Sequence, residues 1–337
     1  MPDVVTLGDI TVDVIARIPH YPALGGDSLA ERVDIRAGGS AANTAVVLSK
    51  FGQAVSIIAR VGQDLLANYA LADLQRVHVS LSCIQKDAQD MTGLVFAAVT
   101  PDGERTFFSC RGANSRTVLR SGDERHIQEA RVLHVSGYSV VGGPQRDAAL
   151  RAIEVALRSG VAVSADLGVE VMTTAREDIV GVLSMVSMLF LNRVVGEWLI
   201  GRSRVEESVG VLLKLGPELV ALKLGDQGCV IGSVDGIYPV PAFEVQAIDD
   251  TGAGDSFDAG LILGRLGGLT VRESALLANA LGALATIVTG AGSSLPGPRA
   301  ALSFLEKRRV EAEWHDWGQE LGRVCDYLAR RLSGPDS

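Results

Sequence analysis

Short apolar runs alternate with helical patterns from one end of the chain to the other. Val4–Leu7, Val55–Val61, Val132–Val135, Val161–Ala165, Met188–Leu191 and Leu219–Leu224 are rich in branched residues, and each is followed by Gly, Ser, Asp or Asn. None shows a polar alternation. Between them, apolar residues recurring every three to four positions predict helices such as Ala41–Phe51, Gln145–Ser159 and Val205–Leu215. Strands apolar on both faces and separated by helices predict an α/β fold with a mostly parallel sheet covered on both sides. In such sheets ligands bind at the carboxyl ends of the strands.

Two segments break this rhythm. Leu29–Arg36 and Thr92–Ser109 alternate apolar and polar residues, and Thr100-Pro-Asp-Gly103 supplies a hairpin turn in the second. Alternation predicts strands with one face exposed, hence a small antiparallel layer beside the main sheet. That layer reads as a lid over a site, or as an edge decoration or dimer contact. From Phe304 onward the chain is charged and helical in period, which predicts a surface helix. No repeat and no long linker divides the sequence, so it is expected to form one domain over 1–337, with the lid from about 14–37 and 91–112.

Charge narrows the partners. The balance of 31 Lys+Arg against 40 Asp+Glu gives a net charge of −9, unsuited to a polyanion such as nucleic acid. No apolar run reaches the roughly 18 residues a membrane span needs, and the start lacks a basic segment followed by an apolar one. The four cysteines (Cys83, Cys110, Cys229, Cys325) are scattered and the five histidines isolated, which argues against a zinc site and fits a reducing cytoplasm.

Candidate chemistry concentrates in glycine-rich helix starts. In Asp249-Asp-Thr-Gly-Ala-Gly-Asp255, the small residues Gly252, Ala253 and Gly254 let backbone N–H groups point into one concavity before a helix. Such a helix start suits an anion, for instance a transferring phosphoryl group. Asp255, expected to stay ionised there, could take a proton from a substrate hydroxyl; the plainer reading is a good N-cap beside a tight turn. Upstream, Gly38-Gly39-Ser-Ala-Ala-Asn43 opens a second helix. Its glycines permit close approach of a ligand, and Asn43 could hold one, although Ser40 also reads as an ordinary N-cap. Gly8-Asp-Ile-Thr-Val-Asp13 places two carboxylates after the first strand; Asp13 could bind sugar hydroxyls or sit in a solvated turn. Arg111 could contact an anionic substrate or be a surface charge, and Lys223 could reach a phosphate or lie along the surface. The turns lack a Walker A lysine and a dinucleotide-binding G-x-G-x-x-G after the first strand.

Taken in order, these residues resemble the ribokinase-like (phosphofructokinase B type) carbohydrate kinases over nearly the whole chain. Gly8–Asp13 resembles the family's first strand and sugar-contacting aspartate, Gly38–Asn43 its first signature, and Val61-Gly-Gln-Asp64 a short motif after the next strand. Asp249–Asp255 resembles the second signature. The resemblance implies a three-layer α/β/α sandwich with a small β lid. It implies transfer of the ATP γ-phosphoryl to a sugar hydroxymethyl group, with Asp255 as base, an anion hole at Gly252–Gly254, and Mg²⁺ arriving with the nucleotide. Nucleotide contacts would fall at Asn192, at Lys223, Gly225 and Gly228, and at Asn279. A monovalent cation such as K⁺ would sit near Asp249, Thr251, Ala285, Val288, Gly290 and Ser294, mostly on backbone carbonyls. Dimers formed through the lid are common in the family.

Several positions depart from that pattern. Asn192-Arg-Val-Val195 has valine where the family carries a glutamate that helps hold Mg²⁺, and Glu197 lies roughly 200° round a helix from that place. Asp250 replaces a small hydroxyl residue, and Ala67 stands where Gly often follows. The strand Leu133–Tyr138 lacks the glutamate that ribose-type members usually carry, which weakens ribose as substrate. The leading expectation is a kinase of a small sugar or sugar derivative. A nucleoside kinase of the same family is the alternative, with Phe108 or Tyr138 lining the base pocket. A sugar- or nucleotide-binding protein of low turnover, prompted by Val195, and a nicotinamide-dependent enzyme are the readings from other classes.

Overall fold

The computed structural model describes residues 1–102, 104–201 and 204–333. Gly103, the last residue of the expected hairpin turn, lies outside them. The central sheet contains β1 (Val4–Leu7), β4 (Val55–Gly62), β5 (Ile84–Asp87), β8 (Val132–Ser136), β9 (Ala162–Leu167), β10 (Met188–Asn192), β11 (Leu219–Lys223), β12 (Cys229–Ser233) and β13 (Gly236–Val240). Their order is β13-β12-β11-β10-β9-β8-β1-β4-β5. Pairing is parallel from β5 to β11 and antiparallel only at the β12 and β13 edge.

Alternation along these strands explains the two cores. Val4, Val132, Phe190 and Ala221 point to one face, against the helices Ser40–Lys50, Ala253–Leu266 and Val271–Thr286. Val5, Leu133, Leu189 and Val220 point to the other, against Gly143–Arg158 and Val205–Leu213. Helices Ala253–Leu266 and Val271–Thr286 touch almost backbone to backbone: a Cβ on Gly260 would lie 2.6 Å from Ala278 Cα.

A separate four-stranded sheet, ordered β3-β2-β6-β7, is built from β2 (Thr11–Arg17), β3 (Arg32–Gly38), β6 (Gly93–Val99) and β7 (Arg105–Cys110). Asp13 therefore lies within a strand of this layer, not in a solvated turn. The pairing sets Val14, Ile35, Phe96 and Phe108 in one row across the sheet, and Phe107 on the opposite face. The C-terminal segment is not one helix. Pro298–Arg309 and Gly318–Leu332 are separated by a 3₁₀ turn, Ala312–Trp317, because Trp314 turns inward and stacks on Phe243 at 4.1 Å between ring centres.

Candidate active site

Asp255 sits in the first turn of helix Ala253–Leu266, whose N-cap is Gly252 in the left-handed region (φ 79°), so the aspartate is not the cap. Glycine is needed there on a second count, since a Cβ would lie 2.9 Å from Leu295 Cδ2. The carboxylate is held from both sides by the first turn of helix Ser40–Lys50. Ser40 Oγ donates to Oδ1 and Asn43 Nδ2 to Oδ2, each at 2.7 Å. Asn43 Oδ1 in turn accepts from the Gly292 N–H at 3.2 Å. The two glycine-rich helix starts thus meet at one carboxyl group. Burial pushes Asp255 up to about 6 against the pull of Asn43 and Ser40, so the helix start does not keep it at an ordinary carboxylate value.

Asp13 approaches from the lid. Thr11 Oγ1 donates to its Oδ1 at 2.8 Å, and a Cβ on Gly38 would run into its Oδ2, which is why glycine stands across the strand pair. Gly39 follows with φ 102°, its ideal Cβ direction blocked by the Asp9 carbonyl. Burial raises Asp13 to about 6, with Asp255 and Asp249 adding to it. Between lid and core lies a cavity of about 140 Å³ lined by Asp13, Val95, Arg105, Phe107, Asp249 and Thr251, among others. Arg111 does not project freely. It grips buried Asp9 at 2.9 and 3.0 Å, bonds Gln145, and lies over the Tyr138 ring.

At the strand ends beyond Asp255, Lys223 Nζ bridges Asp166 (2.7 Å) and Asp258 (3.1 Å). Burial would lower the ammonium pKa, but Asp166 and Asp258 outweigh it and raise it, so Lys223 stays charged. A methyl on Gly254 would lie 3.4 Å from this nitrogen, which sets the charge beside the Gly-Ala-Gly turn. Carboxylate oxygens of Asp166, Asp255 and Asp258 all lie within 4.8 Å of one another. Glu170, close against Gly137 and Gly168, is pushed up to about 7 by burial and then by Asp166. Hard oxygen donors of this kind suit Mg²⁺.

The residues expected at the nucleotide are spread along the edge of the site. Asn192 caps helix Arg193–Ile200, its Oδ1 accepting from the Val195 N–H at 3.0 Å. Val195 is fully buried, and Glu197 pairs with Arg193 at 2.9 Å, so neither brings a carboxylate to the strand end. Gly225 and Gly228 both adopt positive φ in the turn after β11. Asn279 donates to the carbonyls of Val240 and Pro241. Asp249 Oδ1 accepts from the Thr251 N–H and Oδ2 from the Gly290 N–H, both at 2.9 Å, closing the loop before the Gly252–Gly254 turn onto the segment around Gly290. Ala285 lies in the last turn of helix Val271–Thr286, Val288 follows that helix, and Ser294 closes a 3₁₀ turn.

Sequence reasoning passed over Asp166, Glu170, Asp258 and Arg105. Asp258 lies one turn beyond Asp255 on the same helix face, and Asp166 ends an apolar strand, so both left a readable signal. Glu170 left none.

The pfkB family carbohydrate kinase model matches residues 1–298 of the chain. The chain belongs to that family. Fructokinase-1 of Zea mays is 32% identical over 323 residues, 90% of this chain and 98% of the relative. Among solved structures, Arabidopsis thaliana ribokinase complexed with ribose and ATP superposes with a TM-score of 0.78 at 22% identity, over 90% of this chain and 98% of that one. Halothermothrix orenii fructokinase gives a TM-score of 0.71 at 29% identity, over 82% and 97%. The chain is therefore a ribokinase-like carbohydrate kinase, and no helix among its described residues is long and apolar enough to cross a membrane.

Proposed function

We propose that this carbohydrate kinase transfers the γ-phosphoryl group of ATP to a hydroxymethyl group of a small sugar, with fructose the first substrate to try. The observation carrying this reading is the double hold of Ser40 and Asn43 on Asp255, which fixes a carboxylate at the mouth of the Gly252–Gly254 helix start. Asp255 accepts the hydroxyl proton as the sugar oxygen bonds to the γ-phosphorus and the bond to the bridging oxygen breaks, with ADP leaving. The amides of Gly252, Ala253 and Gly254, with Lys223 beside them, stabilise the charge on the phosphoryl oxygens. Asp13 orients the sugar hydroxyls from the lid. Asp166 and Glu170 would hold Mg²⁺ in place of the acid missing at Val195, and the ion would supply neutralising charge to the nucleotide phosphates.

One feature favours a sugar over a nucleoside: the named relatives are fructokinases. The test is ADP release with Mg·ATP over pentoses, ketohexoses, sugar acids and nucleosides. One sugar standing far above the rest supports the reading; a nucleoside in that place overturns it.

A pH dependence follows from Asp255. Its raised pKa means the base is protonated, and idle, below about 6. The expected kcat/KM therefore rises through about pH 6 and levels off above it. A profile flat down to pH 5 would show that the proton acceptor ionises at an ordinary carboxylate value and that burial does not hold Asp255 near 6.

Ile35, Phe96 and Phe108 leave the lid's outer face exposed at 49%, 38% and 60%. We assign that apolar row to contact with a second copy of the chain. Sedimentation should give a dimer that Phe108→Glu converts to monomer; a monomeric parent protein rejects the assignment.

A further inference from the structure

We propose that Arg105 supplies, from within the chain, the positive charge that a monovalent cation would bring beside the anion hole, so that this kinase needs no K⁺. The inference rests on the reading of Gly252–Gly254 as the anion hole. Arg105 opens lid strand β7, and its Nη1 lies 2.9 Å from Asp249 Oδ1, 2.5 Å from Asp250 Oδ1 and 3.0 Å from Thr251 Oγ1. Asp249 is 5% exposed, and besides Arg105 its oxygens accept from the N–H groups of Thr251 and Gly290. An ion recruited to Asp249 and Thr251 would have to share these oxygens with the Arg105 guanidinium cation.

The other side of the expected cation position is also supplied with charge. Lys50 Nζ donates to the carbonyls of Ser293 (2.7 Å) and Leu295 (2.5 Å), flanking Ser294. Arg36 lies against Gly290, where a Cβ would be 2.7 Å from its Cγ. Fixed cations thus meet the loops at Asp249–Thr251 and at Ser293–Leu295, while the Arg36 stem packs against Gly290. The residues present do not fit a further monovalent ion. Asp250 makes sense in the same terms: where the family has a small hydroxyl residue, this chain has a second carboxylate facing Arg105. Because Arg105 belongs to the lid and Asp249–Thr251 runs into the anion-hole turn, the same contact ties lid position to that turn.

The experiment compares the protein in potassium chloride and in choline chloride, each at about 0.1 M so that screening is equal. The readouts are the thermal unfolding midpoint and, separately, the affinity for Mg·ATP by calorimetry without sugar. The parent protein is expected to show the same midpoint and less than about a twofold change in affinity between the salts, while Arg105→Ala in choline loses roughly tenfold in affinity, a usual size for coupling between neighbouring sites. Potassium or guanidinium should restore the variant, and Arg105→Lys should behave as the parent. A parent protein stabilised and tightened by K⁺ overturns the inference. So does an Arg105→Ala variant indifferent to both cations, since Arg105 would then be a lid contact only. Should Arg105→Ala not fold, Arg105→Gln takes its place. Unfolding midpoints require neither nucleotide nor sugar, so absence of Mg·ATP binding would count against the kinase reading while the salt comparison still decides the role of Arg105.

Discussion

Asp255→Asn is expected to lower kcat by roughly 10²–10⁴ while leaving sugar binding within a few-fold of the parent. Asparagine has nearly the shape of aspartate and keeps an oxygen to accept from Ser40 or Asn43, so the meeting of the two helix starts survives. What it loses is the ability to take a proton. The structure adds a stability signature that separates this from damage. Asp255 has a folded pKa of about 6, above the ordinary 3.8, so its ionisation favours unfolding. By linkage, its contribution to stability is fully present below about pH 4 and lost as pH rises through 6. A neutral asparagine avoids that loss, offset by one weakened hydrogen bond. The unfolding midpoint at pH 7.5 should therefore hold level or rise as turnover collapses. Loss of activity with a lower midpoint would mean that Asp255 acts through structure. Retained turnover would remove it from the mechanism.

Much of the architecture was legible because burial on both faces leaves a plain trace. The strands β1, β4, β8, β9, β10 and β11 match the expected apolar runs to within two residues at each end. The edges were not legible. β5 reads Ile-Gln-Lys-Asp and carries little apolar signal, while β12 and β13 are short and broken by glycine and proline. Strand β2 hid because its first residues look like the tail of the Gly8–Asp13 turn. At the site, the two glycine-rich helix starts announced themselves locally, but their meeting did not: Asn43 and Asp255 are 212 residues apart. Arg105 was invisible for a related reason. In an alternating strand a charged residue reads as solvent-facing, and only the placement of the lid over Asp249 gives it three acceptors.

Lys223→Met should be the most destabilising single change near the site, costing about 3 kcal/mol or more, because it leaves two carboxylates without their counter-charge. Asp258 is fully buried, with its pKa held well above the ordinary range first by burial and then by Asp166; Lys223 is the cation that opposes both. Without Lys223, one of the two acids must stay protonated in the folded protein while both ionise in the unfolded chain. Folded pKa values above unfolded ones mean stability that is present at low pH and lost as pH rises. The deficit of Lys223→Met against the parent should accordingly be smaller at pH 5 than at pH 8, readable from denaturant midpoints at the two values. Adding Asp258→Asn to Lys223→Met removes the stranded acid and should recover a large part of the loss, with a gain in stability larger than Asp258→Asn brings to the parent. That non-additivity is what a coupled charge pair requires. Additive effects of the two substitutions, or a deficit independent of pH, would show that Lys223 contributes by packing its stem and not by neutralising Asp166 and Asp258.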